Sequence, residues 1–211
     1  MQQYIRKPAE IYKKSFDIIS TEVDLSRYSN QEKNVVTRII HSCGDISVMD
    51  DIFISKYAIR SGIDALRSGE KIFVDSEMVK AGIIKNNLVN NKIFCHIGDD
   101  DVLDIAQSLN TTRSAAAVEH WRDNISNSIL IIGNAPTALF RVLEIISEGN
   151  LIPKLIIGMP LGFVGAIEAK EELLNYHQSY GLNIITVSGR RGGSAMACAT
   201  INAISLMIDA K

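Results

Sequence analysis

Short apolar segments, each followed by a turn and then by an amphipathic stretch, constrain the fold of this chain more than any other feature. These segments are nearly continuous in their hydrophobicity, which is typical of parallel strands covered on both faces. They predict strands at Ile72–Asp75, Ile93–Ile97, Ser128–Ile132, Leu155–Ile157 and Asn183–Ser188. Because helical patterns separate them, we expect a doubly wound parallel α/β sheet of about five strands.

The N-terminal third of the chain is predicted to be helical instead. Apolar residues of Ala9–Thr21 lie close to a single face of a helix. Ser29 with Glu32 three residues later is the signature of a capping box, and it predicts the start of a second helix. A third helical stretch is predicted over Ser55–Leu66.

Length and composition favour one compact unit. A chain of 211 residues that is 46% hydrophobic can bury a large core. We therefore expect a single domain over residues 1–211, with a mainly helical lobe at 1–67 and a parallel α/β core at 71–211.

Charge, hydropathy and cysteine content exclude several classes of partner. The 22 basic and 24 acidic residues are balanced, so no general field attracts nucleic acid or a membrane surface. No apolar run approaches the roughly 20 residues of a membrane span. The three cysteines show no CxxC spacing and no even framework, which fits a reducing compartment. We expect a cytoplasmic protein with no nucleic-acid partner and no membrane partner.

Three glycine-rich turns follow predicted strands, at 133–137, 158–165 and 189–194. Carboxyl ends of parallel strands form the ligand-binding edge of such sheets, and N–H groups at helix starts bind carboxylates or phosphates. Thr112-Arg113-Ser114 opens a further helix, with Thr112 either lining an anion site or simply capping its helix. Arg190 and Arg191 either bind carboxylates or are solvated. Several such sites predict a wide cleft for a ligand with several carboxylates.

Histidines provide the candidates for proton transfer and for metal binding. His41 lies near the end of the second predicted helix, and it is either an acid–base group or a helix cap. His96 is expected at the sheet's ligand-binding edge, whereas His120 and His177 are predicted to be surface residues. The aspartates that follow His96 are interpreted as an acidic helix N-terminus. No spacing resembles a zinc site, so no metal site is predicted.

These motifs resemble those of the precorrin-8X methylmutase family, including its cobalt-precorrin-8 methylmutase members. The resemblance runs in order from about residue 4 to residue 205. The segments that carry it are Ile11–Phe16, Arg38–Gly44, Asp75–Val79, Thr112–Ala116, Ile132–Leu139, Gly158–Gly165 and Gly189–Met196.

The resemblance implies an isomerase of cobalamin biosynthesis that moves a methyl group from C11 to C12 of one corrinoid ring. It implies a flavodoxin-like sheet, a homodimer and no separate cofactor. His41 would be the proton donor and acceptor. Substrate contacts would come from Ser15, Arg38, Thr112, Arg113, Ser114, Gly133, Asn134, Gly158, Met159, Gly192, Gly193 and Ser194.

Three other functions remain open at this point. A corrinoid or tetrapyrrole carrier would bind the ring tightly without changing its absorption spectrum. A nucleotide-dependent enzyme would need phosphate-binding glycines, but neither a dinucleotide fingerprint nor a P-loop occurs in the sequence. A purely structural protein is disfavoured because three glycine-rich strand-to-helix turns exceed what a scaffold requires.

Overall fold

The computed structural model describes residues 4–208, so the first and last three residues of the predicted domain lie outside the described residues. A single mixed sheet lies at its centre. The strands are β1 Ile52–Ile54, β2 Ile72–Val74, β3 Ile93–Phe94, β4 Ile129–Ile132, β5 Leu155–Gly158 and β6 Ile184–Val187. Their order across the sheet is β1-β6-β5-β4-β2-β3.

Strands β2 to β6 are all parallel, which confirms the predicted doubly wound sheet. Numbered along the chain, these five strands have the order 2-1-3-4-5 of the flavodoxin-like fold. The sixth strand, β1, was not predicted. It pairs antiparallel with β6, with Phe53 opposite Thr186. A three-residue edge strand has too little pattern of its own to be found in the sequence, because its partner defines it.

Helices cover both faces of the sheet. The α-helices are α1 Pro8–Glu22, α2 Asn30–Cys43, α3 Ala58–Arg67, α4 Glu77–Gly82, α5 Val102–Ser108, α6 Arg113–Val118, α7 Pro136–Gly149, α8 Ala166–Tyr180 and α9 Ser194–Ser205. Short 3-10 helices occur at Ile46–Asp51, Lys85–Asn87 and Glu119–Asn124. No helix within residues 4–208 is both long and apolar enough to cross a membrane.

Local sequence signals explain where the N-terminal helices begin and end. The capping box of α2 is confirmed, because Ser29 and Glu32 each bond the other's backbone N–H. The predicted start of the third helix at Ser55 is wrong. The Ser55 N–H donates to the carbonyl of Ile184 at 3.0 Å, and its hydroxyl accepts from the Ile184 N–H at 2.9 Å. Ser55 therefore extends the pairing of β1, and α3 begins only at Ala58.

The core lies on both faces of the sheet. In β4, Ile129 and Ile131 pack in a cluster with residues of α2, α3 and α9. Leu130 and Ile132 point to the other face, into a cluster built with α7 and α8. Residues of α2 thus belong to the same apolar cluster as the sheet, and α2 packs directly on α9. This packing holds the helical N-terminal segment against the α/β part of the molecule.

Candidate functional site

The three glycine-rich turns meet at the carboxyl edge of β4, β5 and β6. The Gly193 N–H donates to the carbonyl of Met159 at 2.8 Å, which joins the second and third turns. Gly133 in the first turn approaches α9 so closely that an added Cβ would lie 3.0 Å from the Cα atom of Ser194. The predicted gathering of the turns at one edge is therefore present in the structure.

The first turn is filled from within the protein. The carboxylate of Asp75, at the end of β2, accepts hydrogen bonds from the N–H groups of Gly133 at 3.0 Å, Asn134 at 2.8 Å and Ala135 at 2.7 Å. Burial raises the pKa of Asp75, and the backbone donors oppose that shift. The prediction that these N–H groups bind an external anion is wrong because Asp75 occupies them. Asn134 is the exposed residue of this turn, and Pro136 and Thr137 are half-buried.

The second turn has a buried base and an exposed apolar tip. Met159 has no exposed surface, and Gly158 accepts a 2.6 Å hydrogen bond from the hydroxyl of Thr186. The predicted substrate contacts of Gly158 and Met159 are therefore not supported, and both residues hold the turn in place. Phe163 and Val164 at the tip are 84% and 89% exposed. Helix α8 begins directly after this turn without a side-chain cap.

The third turn is held by an internal ion-pair network. Arg191 donates to Asp45 at 2.8 Å, to the hydroxyl of Ser47 at 2.6 Å and to Asp51. Arg191 is partly exposed and binds carboxylates, as one interpretation of the sequence predicted, but these carboxylates belong to the protein itself. Arg190 is exposed, and its Cζ atom lies 5.1 Å from the ring centroid of Phe163.

A buried lysine lies against the same turn. The ammonium group of Lys170 donates to the carbonyl of Arg191 at 2.7 Å. Lys170 is only 2% exposed. Burial lowers the pKa of Lys170 to about 8, and the nearby carboxylate of Asp51 opposes this shift. Helix α9 follows the turn, and its first residue, Ser194, has no side-chain cap before it.

His41 is exposed in the last turn of α2 and is held by residues of α1. Its Nδ1 atom lies 2.8 Å from the hydroxyl oxygen of Ser15. The rings of Tyr12 and Phe16 lie beside it, with centroids at 5.4 and 5.6 Å. Arg38 precedes His41 by three residues on α2, and its Cζ atom lies 5.2 Å from the Phe16 ring centroid. The structure thus brings the predicted residues Ser15, Arg38 and His41 together.

The end of α2 is fastened to the third glycine-rich turn. Asp45 and Ser47 lie just after α2, at the start of the 3-10 helix, and both bond Arg191. His41 is therefore at the same edge of the sheet as the glycine-rich turns.

The Thr112-Arg113-Ser114 segment lies beside the first turn. The hydroxyl of Thr112 accepts the Ala115 N–H at 3.2 Å, so Thr112 is the cap of α6. The same hydroxyl is 2.8 Å from that of Thr137, in the first turn of α7. Arg113 is exposed and donates one hydrogen bond to the carbonyl of Ile97 at 2.9 Å. Ser114 is half-buried next to it.

Sequence reasoning missed several side-chain contacts. Tyr12 and Phe16 were predicted to lie on an apolar helix face and in a family motif, but not to contact His41, although their spacing from Ser15 places all three on one side of α1. His120 is half-buried rather than a plain surface residue, and its ring centroid lies 5.0 Å from that of His96. No sequence signal joins these two histidines.

Fold and site together define a class of protein. It is a flavodoxin-like α/β protein in which N-terminal helices place a histidine beside the carboxyl edge of the sheet, where the glycine-rich turns lie. The precorrin-8X methylmutase (CbiC) family model matches residues 10–207. The chain belongs to the precorrin-8X methylmutase family, as its motifs predicted.

Individual relatives agree with this placement. The chain is 43% identical to the precorrin-8X methylmutase of Pseudomonas aeruginosa, over 97% of this chain and 98% of the relative. It is 37% identical to the cobalt-precorrin-8 methylmutase of Priestia megaterium, over 96% and 89%. A crystal structure of the precorrin-8X methylmutase from Thermus thermophilus superposes with a TM-score of 0.84 at 30% identity, covering 94% of this chain and 96% of that one. The chain is therefore an isomerase of the methylmutase class, and the carrier alternative is not favoured.

Proposed function

We propose that this protein moves a methyl group from C11 to C12 of precorrin-8X or cobalt-precorrin-8, and that His41 supplies and recovers the proton that assists the shift. The observation that carries this proposal is the exposed imidazole of His41, bonded to Ser15 at 2.8 Å and tied to the glycine-rich edge through Asp45 and Arg191. Relatives of this family carry those substrate names, and any cobalt would be part of the substrate.

The partner of His41 suits a group that gives a proton and then takes it back. A hydroxyl can either donate or accept a hydrogen bond. When the imidazole is protonated, Nδ1–H donates to the oxygen of Ser15. When Nε2 has lost its proton, the same Nδ1–H bond to Ser15 keeps Nε2 free as the base. Ser15 is therefore a positioning residue that supports both protonation states of His41.

The chemistry requires only this acid–base group and suitable binding of the ring. Protonating or hydrogen-bonding the corrinoid from His41 withdraws electron density and lowers the barrier to methyl migration. A donor aimed at charge that develops in the transition state contributes about 3 kcal/mol. Because the proton is returned, the net reaction is an isomerisation.

Binding of the ring's carboxylate arms is assigned to groups on either side of the cleft. Arg38 lies near His41, and Arg113 lies beside the first turn with Thr112 and Ser114. Between them, α8 and α9 begin without side-chain caps, so their first N–H groups are suited to carboxylates. Gly192, Gly193 and Ser194 shape the start of α9, and Asn134 adds an exposed amide.

Anaerobic incubation with each ring tests the function directly. We expect conversion of precorrin-8X or cobalt-precorrin-8 to a product of unchanged mass and altered absorption spectrum. The ring that is converted identifies the pathway. Tight binding of both rings with conversion of neither contradicts the proposal and supports a carrier.

Replacing His41 by asparagine tests the acid–base role. We expect kcat to fall by a factor of about 10² to 10⁴, the usual contribution of a general acid–base group. Because His41 is exposed, the fold and the affinity for the ring should be retained. Circular dichroism and a binding titration check these two points, and full activity in His41→Asn refutes the assigned role.

Ser15→Ala separates positioning from catalysis. We expect about a tenfold lower kcat, a shifted pH–rate profile and little change in KM, because the imidazole loses its orienting partner. Ser20→Ala is the matched control, since Ser20 is an exposed serine of α1 that bonds only its own helix at Asp17. Equal pH profiles for Ser15→Ala and the wild type would remove Ser15 from the mechanism.

Arg113→Ala tests the carboxylate contact at the far side of the cleft. We expect weaker ring binding in a titration, with the loss shrinking as salt is added, because exposed charge pairs are screened. Arg60→Ala is the control: Arg60 is also exposed but pairs with Asp64 on α3. Unchanged affinity for Arg113→Ala at low salt places Arg113 outside the site.

Assembly and location complete the proposal. We assign the protein to the cytoplasm as a single folding unit that works as a homodimer, as the family resemblance implies. The exposed apolar side chains of Phe163 and Val164 support an interface near the second turn. Sedimentation of the wild type should give the mass of two chains, and Phe163→Ser should shift it toward one. A wild type that sediments as a single chain contradicts the dimer.

A further inference from the structure

The geometry points to a binding site for a divalent first-row transition-metal ion of the Zn²⁺ type, formed by His96, Asp99 and His120 beyond the end of β3. The sequence predicted no metal site, since the three residues share no motif spacing. The inference does not depend on the proposed catalytic function. It rests on the separation of the donor atoms, on their support and on their chemistry.

The donor atoms are close enough to share one ion. Each of the three residues offers one donor, and these atoms all lie within 4.8 Å of one another. Zinc bonds of about 2.0–2.2 Å require donor atoms roughly 3–4 Å apart. Rotations of the side chains that bring the donors closer by about 1 Å therefore complete the coordination.

Surrounding residues already orient the donors. The ring of His96 stacks on that of Phe94, with centroids 6.0 Å apart and planes 3° apart. The Nδ1 atom of His96 lies 2.6 Å from Asp99, and Nε2 of His120 lies 3.1 Å from Asp101. Because Asp99 is itself one of the three ligands, its contact with His96 is exchanged for bonds of both residues to the ion. Asp101 lies outside the cluster and bonds His120 as carboxylates that support metal-binding histidines do.

The donor set selects the class of ion. Two imidazoles and one carboxylate suit Zn²⁺, Co²⁺ and Ni²⁺, whereas Mg²⁺ and Ca²⁺ prefer sets made of oxygen. Both histidines are half-buried and Asp99 is exposed, so an ion can enter from solvent and keep a water molecule. This is a three-ligand site with an open position.

An ion here would stiffen one side of the candidate cleft. Ile97 lies between His96 and Asp99 along the chain, and its carbonyl accepts the hydrogen bond of Arg113 at 2.9 Å. Cross-linking His96, Asp99 and His120 therefore fixes the segment that holds Arg113. We expect saturating Zn²⁺ to raise the melting temperature of metal-free protein, because the ion binds the folded form.

Calorimetric titration of the metal-free full chain with Zn²⁺ tests the site. A Cys43→Ser background is used because Cys43 is the exposed cysteine of the chain and lies two residues from His41. We expect Zn²⁺ binding to saturate at one ion per chain. With Co²⁺ in place of Zn²⁺, we expect the visible absorption that is typical of four- or five-coordinate Co²⁺. Absence of saturable binding overturns the proposal, and so does a spectrum of hydrated octahedral Co²⁺.

Substitutions then identify the ligands. His120→Gln and Asp99→Asn should each weaken Zn²⁺ binding by at least about tenfold and abolish the gain in melting temperature. Asp100→Asn is the matched control, since Asp100 is an exposed neighbour outside the cluster, and its affinity should equal that of the background. Asp99 is exposed, so Asp99→Asn should remain folded by circular dichroism. Wild-type affinity in both ligand variants refutes the site.

Discussion

The turns after β4 and β6 each lead from a strand into a helix, but the protein holds them in different ways. In the turn after β4, the carboxylate of Asp75 enters from β2 and takes three backbone N–H groups. In the turn after β6, Arg191 reaches outward to Asp45 and Asp51 and leaves the start of α9 without a side-chain cap. The first turn is therefore closed, because Asp75 bonds its N–H groups, and the third turn is open, because α9 begins there without a side-chain cap.

This difference shows what a glycine-rich turn does and does not indicate. In the first turn the N–H groups bind an anion, the carboxylate of Asp75, whereas anion binding at the third turn stays a prediction. Whether the anion is a substrate or the protein's own carboxylate depends on a residue that lies far away in the chain. Asp75 precedes the Gly133 turn by 58 residues.

The largest expected loss of stability comes from removing the carboxylate of Asp75 from the closed first turn. Asp75→Ala leaves three N–H groups without an acceptor, and two of their hydrogen bonds are buried, so the free energy of unfolding should fall by about 3 kcal/mol. Urea unfolding measures this change. Asp17→Ala, at an exposed position on α1, should change stability little. Equal losses in the two variants would mean that Asp75 does not hold the turn.

Removing the Arg191 ion pairs of the open third turn should lower stability less than Asp75→Ala, but it should also lower the rate of the reaction. Arg191→Met removes partly exposed ion pairs and the bonds to Ser47, so we expect a loss of about 2 kcal/mol. Because the end of α2 is no longer fastened, kcat should also fall. Arg190→Met is the control for stability, since the exposed Arg190 only stacks on Phe163. Unchanged kcat in Arg191→Met would show that this fastening does not position His41.

The smallest expected effect is a pH dependence of stability, caused by Lys170, which bonds the open third turn. Buried Lys170 has a pKa of about 8, below its ordinary value of 10.5. Between these two values the unfolded chain binds more protons, so wild-type stability should rise with pH relative to Lys170→Met. The relative gain should be about 1 kcal/mol from pH 7 to pH 9.

Burial raises the pKa of Cys95 and that of Cys198 to about 11. The folded protein therefore holds more protons than the unfolded chain above pH 9, so these two thiols make stability fall as the pH rises. They are present in both proteins, so they cancel in the comparison with Lys170→Met. A flat difference across this range would mean that folded Lys170 keeps its ordinary pKa of 10.5, and therefore that it is not buried in solution.

The sequence predicted the parallel sheet well, because the buried strands carry their own signal. The segment Ser128–Ile132 was predicted, and β4 is Ile129–Ile132. The edge strand β1 was missed because its pairing with β6 is a tertiary contact. Ser15 and His41 were assigned from family motifs, and the structure adds their 2.8 Å contact. Whether the pair acts in catalysis stays a prediction.

The rest of the site could not be predicted because it depends on residues distant in the chain. Asp75 belongs to a family motif, but its spacing from Gly133 gives no sign that it fills the first turn. The carboxylate partners of Arg191 precede it by 140 residues or more. Such pairs are decided by how helices and strands pack, and one sequence does not reveal them.

Strand β1 has a further consequence for the behaviour of the protein at high concentration. An open sheet edge is a template for pairing with other chains, which leads to aggregation. Here β1 occupies the outer side of β6, and the opposite edge ends in β3, which is only two residues long. The segment that leads from the His41 helix into the sheet thus also shields the sheet from self-association. Partial detachment of this segment would expose β6 and turn a loosened active site into an aggregation-prone state.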